Sequence, residues 1–348
     1  MTLQQMTPLA PAARWIRSLA LAGLVLCFVV VVLGAYVRLT TAGLGCPDWP
    51  GCYGHITPPS RLDFAEHNQV FPNKPLDAGK AWREMIHRYA ASTLGLICVA
   101  LAVLGFATRR QRLVSLPLAW GLVAIIVFQG LLGMLTVTWQ VTPLVVTGHL
   151  LFGLTTLSLL WWLWLSLQPA RPRGDPRAAR FVWRLALIGL VALIIQIALG
   201  GWTSTNYADI ACPDFPKCQN SWWPNADFRN AFVLWRGLGV NYEGGVLSIP
   251  ARVAIHLTHR MGAVVAAITL ALAATLVIRR RASLTYVSPA AYAVLIVLVL
   301  QLTIGITMVL RGFPLILATA HTAGAALLLL SVLAMLRGAG ATARIRPF

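Results

Sequence analysis

Apolar residues in this chain gather into long runs and do not alternate or mark out one helix face. Eight such runs lie at about 18–37, 89–108, 113–137, 143–167, 181–203, 255–278, 287–310 and 313–336. Each is close to the ~20 residues an α-helix needs to cross the hydrocarbon of a bilayer. A helix that is apolar all round has no solvated face and belongs in lipid or a buried core. The pattern predicts an all-α polytopic membrane protein with eight transmembrane helices. No small-residue cleavage site follows the first run, so it reads as a retained helix.

The polar breaks are unequal. Two are long, at about 38–88 and 204–254; the rest are short. Arg14 and Arg17, Arg109 to Arg112, Arg171 to Arg180, Arg279 to Arg281, and Arg337 to Arg346 all fall on one face of an eight-span chain. Cationic connections remain cytoplasmic, which puts both termini in the cytoplasm and both long loops in the periplasm of a bacterial inner membrane. Nine of the ten acidic residues lie on the loop face, Asp175 being the exception. The net charge of +18 is therefore a topology signal, and no nucleic-acid partner is expected. Charged residues make up 11% of the chain, against about 25% in a soluble domain.

The two long loops carry nearly one phrase, "CPDWPGC" from Cys46 and "CPDFPKC" from Cys212. A shift of 166 residues superimposes them and places Gly34 on Gly200. Past the loops the shift becomes 172, placing His87-Arg88 on His259-Arg260, His149 on His321, Gln129 on Gln301 and Gly133 on Gly305. A duplication of this kind predicts two tandem four-helix bundles related by a pseudo-twofold axis along the membrane normal. The halves are 1–170 and 181–336, followed by a cytoplasmic tail, 337–348.

Ionisable side chains at membrane depth are costly and usually functional. His87 and His259 are expected to open the second and sixth helices. His149 and His321 should lie about one and a half turns into the fourth and eighth. Two imidazoles facing across a four-helix bundle suit an axially ligated haem iron. Zinc is the competing reading, but each pair would need two more ligands, and the periplasm argues against free thiolates. Arg88 and Arg260 are candidates to pair with haem propionates or to anchor helix ends; Arg38 and Arg311 are weaker ones. Cys46 with Cys52, and Cys212 with Cys218, close either a structural clip or a redox-active dithiol. Cys27 and Cys98 read as packing thiols.

The repeat is imperfect at one telling place. Glu84 stands where the second half has His256, so "EMIHR" faces "HLTHR". Residues i and i+3 share a helix face, which puts Glu84 beside His87 as a candidate base; the plainer reading is a solvated carboxylate just before the helix.

These motifs together resemble the haem A synthase family, over about residues 15–336. The resemblance implies oxidation of the C8 methyl of haem O to a formyl group by successive hydroxylations. It implies haem b as cofactor on His259 and His321, with haem O flanked by His87 and His149 and Glu84 as proton acceptor. It also implies that Cys46–Cys52 matters more than Cys212–Cys218. Expected partners are the substrate haem O, its synthase (a farnesyltransferase), cytochrome oxidase assembly factors, the lipid bilayer and an electron acceptor the sequence leaves open. A dihaem b-type quinol oxidoreductase remains the alternative. His55 and His67 match no motif.

Overall fold

The computed structural model describes residues 11–59, 71, 75–111, 113–168 and 174–343; His67, Arg112, Arg171, Arg173, Arg344 and Arg346 lie outside them. Eight long helices dominate: α1 (Pro11–Leu39), α2 (Ala78–Ala107), α3 (Leu116–Thr138), α4 (Pro143–Ser166), α5 (Pro176–Thr205), α6 (Ile249–Arg279), α7 (Ser288–Leu310) and α8 (Leu315–Thr342). All eight are long and apolar enough to cross a membrane. No strand occurs among the described residues, only isolated bridges within each cysteine loop. The eight-helix reading is borne out.

The helix boundaries follow local chemistry. Asp77 caps α2 by accepting from Lys80 N at 3.0 Å, and Asp175 caps α5 by accepting from Arg177 N at 2.9 Å. Proline occupies the first turn of α3, α4, α5, α6 and α7, where its missing N–H costs nothing. The four odd-numbered helices stop alike. Ala42 N donates to Val37 O, Val141 N to Thr136 O, Ala208 N to Thr203 O and Phe313 N to Met308 O, at 2.8 to 2.9 Å. Thr41, Gln140, Tyr207 and Gly312 just before them take positive φ. This six-to-one bond with a left-handed residue is the Schellman stop.

Several helices begin or end outside the apolar runs. α2 starts at Ala78 and α6 at Ile249, so His87 and His259 lie nine and ten residues inside their helices. At 1.5 Å per residue that is about 14 Å from the helix start, and the expectation that they open these helices is corrected. His149 and His321 each lie six residues into α4 and α8, as expected. α8 runs on to Thr342 through the segment expected as tail.

α1, α2, α3 and α4 pack each against the next and α4 back on α1. α5, α6, α7 and α8 make a second ring of the same connectivity. The rings meet through α1 on α8, α4 on α5 and α4 on α8. Across this seam Trp161 Nε1 donates to Leu330 O at 2.9 Å and Arg337 to Leu165 O at 2.9 Å. Leu157, Leu160, Leu163, Val182, Leu270 and Met335 belong to one fully buried core spanning both rings. Val99, Val103, Val264, Val265, Ile268 and Val299 point outward and are exposed. Apolar side chains without protein partners on these faces suit lipid contact.

Candidate functional site

The four histidines occupy matching places. His87 lies on α2 and His149 on α4, helices that stand diagonally across the first ring. His259 on α6 and His321 on α8 do the same in the second.

Each imidazole rests on a glycine of the preceding helix. A Cβ on Gly34 would fall 3.0 Å from His87 Cε1, and one on Gly200 3.1 Å from His259 Cε1. The corresponding distances are 3.6 Å from Gly133 to His149 and 2.9 Å from Gly305 to His321. Any side chain at Gly34, Gly200 or Gly305 would crowd its ring. Gln129 Nε2 donates to His149 O, and Gln301 Nε2 to His321 O, each at 3.0 Å. The glycine seats escaped the sequence reading, although the repeat had already aligned all four glycines beside the aligned histidines.

The donor set limits the metal. Among the described residues no three of His, Cys, Asp or Glu come together in a way that could hold a metal ion. Cys46 is bonded to Cys52, and Cys212 to Cys218, so none of the four is a free thiol. The zinc reading therefore lacks its third and fourth ligands. Two imidazoles alone fit a metal that brings its own equatorial ligands, which is what a porphyrin supplies. The Nδ1 atoms of His87, His149 and His321 are buried with no partner. Buried polar atoms are rarely left so without a functional reason.

Above the histidines sit the two disulfide loops, both with fully buried sulfurs. Arg88 donates to the carbonyls of Asp48 (3.0 Å), Pro50 (3.2 Å) and Gly51 (2.5 Å). Arg260 donates to those of Lys217 (2.8 Å), Cys212 (3.1 Å) and Asp214 (2.8 Å). Both arginines thus tie their helices to the loops. Inside each loop an aspartate closes the turn: Asp48 accepts from Tyr53 N and Gly54 N, Asp214 from Gln219 N and Asn220 N. Cys27 and Cys98 are buried free thiols, as expected.

The halves differ at Glu84. It lies six residues inside α2, is 5% exposed and is not the solvated loop carboxylate of the plainer reading. Its Oε2 accepts from Cys46 N at 2.9 Å and its Oε1 from Arg88 at 2.5 Å. In the second half, His256 Nδ1 lies 3.1 Å from Ala208 O, equally buried. Near it, burial pushes the Asp209 carboxyl above its usual range, against the lowering effect of the Ile210 N–H and of Arg38 and Arg252. Arg38 bridges the halves, donating to Ser204 O at 2.7 Å and lying over the Tyr207 ring.

The model of a family described as cytochrome oxidase assembly proteins matches residues 17–333. The chain belongs to that family. A protein of Shewanella oneidensis named "Heme A synthase" is 43% identical over 89% of this chain and 92% of its own length. Relatives of the same name from Rhizorhabdus wittichii and Caulobacter vibrioides are 28% and 27% identical, over 94% and 92% of this chain and 95% and 93% of theirs. The resemblance drawn from the cysteine and histidine motifs is borne out.

Proposed function

We propose that this chain is a haem A synthase that oxidises the C8 methyl of haem O to a formyl group. One observation carries the reading furthest: two diagonal, glycine-seated histidine pairs, with a buried Glu84 one turn before the first-half histidine and His256 at the matching place in the second half. A pure electron carrier has no need of that asymmetry, which disfavours the dihaem alternative.

In this reading His259 and His321 hold haem b, and His87 and His149 flank the iron of haem O. Haem supplies the redox chemistry that an unactivated methyl demands and that side chains lack. The protein's own contribution is position and proton handling. Glu84 takes a proton at Oε1 or Oε2, and Arg88 and Cys46 N hold both oxygens in place. The glycine seats fix the imidazole planes, since a packed ring cannot swing. The disulfide loops, drawn down by Arg88 and Arg260, exclude water from the bundle mouths. These arginines serve the propionates only through donors the loops leave free. The two rings form halves, 1–170 and 181–336, related by a pseudo-twofold axis. The termini face the cytoplasm and the loops the periplasm. Haem O reaches the first ring from its farnesyltransferase through the bilayer, and haem A passes to the oxidase assembly machinery.

The test is pigment extraction from purified protein. Haem B with haem O or haem A supports the reading; haem B alone, with no conversion of added haem O, overturns it in favour of the dihaem carrier.

A further inference from the structure

Three of the four histidines leave Nδ1 without a partner; His259 does not. Gln196 of α5 places its amide nitrogen 3.0 Å from His259 Nδ1 and 3.0 Å from His259 O. Its own Oε1 is buried without a partner and lies against Gly262, where a Cβ would collide with it. The repeat shows that this arrangement belongs to one half only. The 166-residue shift places Gln196 on Val30, and the 172-residue shift places Gly262 on Ala90. Glutamine and the glycine that makes room for it are exchanged together for valine and alanine. The first-half ring, His87, therefore has the glycine seat but no side-chain partner.

An imidazole that gives Nε2 to a metal carries its proton on Nδ1, and a fixed acceptor there sets the ring orientation and raises its donor strength. The oxygen and nitrogen of a glutamine amide exchange places by a half-turn of its terminal bond. That half-turn brings the orphaned Oε1 to Nδ1–H and gives up the amide's donation to His259 O in exchange. We propose that Gln196, seated on Gly262, is a positioning residue that accepts the Nδ1–H of His259 when Nε2 holds iron, marking the second ring as the one that keeps its haem. His87 lacks such an acceptor, which suits a ring that must release its occupant each turnover. The inference rests on the assignment of haem b to His259 and His321.

The test uses the full chain purified with its haem, comparing Gln196→Met, similar in length but without the amide, with Gln196→Glu, which retains an acceptor. Three readouts apply: the midpoint potential of the bound haem, its ferric low-spin electron paramagnetic resonance signature, and the rate of haem transfer to apomyoglobin. Loss of an outer partner of this kind weakens metal retention by about 10-fold or more. Gln196→Met is expected to raise the potential, shift the resonance and speed haem loss by about that factor, whereas Gln196→Glu, whose carboxylate is the stronger acceptor, lowers the potential and retains the haem. If Gln196→Met folds poorly, Gly262→Ala gives the same comparison by displacing the amide. Unchanged potential, resonance and loss rate in Gln196→Met and Gly262→Ala overturn the inference. Loss of the resident haem on His87→Ala but not on His259→Ala overturns the underlying assignment instead.

Discussion

Glu84 Oε2 accepts a hydrogen bond from the backbone N–H of Cys46 at 2.9 Å, so the carboxylate beside His87 is tied directly to the first disulfide loop. Arg88 completes the connection by pairing with Glu84 and gripping three loop carbonyls. The second half has the loop and the arginine but His256 in place of the acid.

This geometry separates two roles of Glu84. Glu84→Gln keeps an oxygen for Cys46 N but loses the basic site. It is expected to bind haem b normally, preserve the loop and stop haem A formation, read by pigment extraction. Glu84→Ala should stop haem A formation as well and also loosen the loop. Conversion at the parent rate in the glutamine variant would remove the carboxylate from the chemistry.

His259→Ala and His321→Ala are expected to abolish the resident haem spectrum, whereas His87→Ala retains it and loses only conversion of haem O. Absorption spectra of the three purified variants check this, and a resident spectrum that follows His87 would reverse the two halves.

The glycine seats predict a graded response. Alanine at Gly305 places a Cβ 2.9 Å from His321 Cε1, closer than carbon atoms tolerate, so the ring must move. Alanine at Gly133 places it 3.6 Å from His149 Cε1, an ordinary contact. Gly305→Ala should shift or bleach the resident haem bands while Gly133→Ala leaves turnover nearly intact. Equal effects in both would show that the seats do not position the rings.

Arg260 makes three hydrogen bonds to the second loop. Hydrogen bonds from a charged donor contribute about 1.5–3 kcal/mol each. Arg260→Ala should therefore expose Cys212–Cys218 to mild thiol reductants at least ~10-fold faster, measured by alkylation and mass analysis. An unchanged reduction rate would mean the loop holds itself closed.

Asp209 gives the pH prediction. Burial raises its carboxyl, so the folded chain binds this proton more tightly than the unfolded chain. Stability from this group is present at low pH and is lost as pH rises through the raised value. Asp209→Asn should unfold at a higher temperature than the parent at about pH 7, with the gap closing toward the ordinary carboxylate value of about 3.9. A gap that widens on acidification would contradict the sign.

The helix starts show where sequence reading falls short. The run "AGKAWREMIHR" is too polar for a hydropathy argument, yet α2 begins at Ala78. Its first turns project beyond the apolar stretch and pack against the cysteine loop, where Ala81, Glu84 and Met85 are buried. Hydropathy registers lipid contact and is blind to a helix end covered by protein. The plainer reading of Glu84 as a solvated loop acid fails for the same reason.

Eight spans, the duplication, the histidine spacing and the Glu84–His256 exchange were legible in the residues, because a bilayer imposes run length and a repeat exposes each departure from itself. Position across space was not. Which nitrogen meets which carbonyl, that Arg88 and Arg260 hold the loops, that a glycine backs each of the four paired imidazoles and that Gln196 reaches His259 alone all depend on contacts between segments far apart in the chain. Such contacts arise only when the two rings close, since no local pattern records which face a neighbouring helix will present.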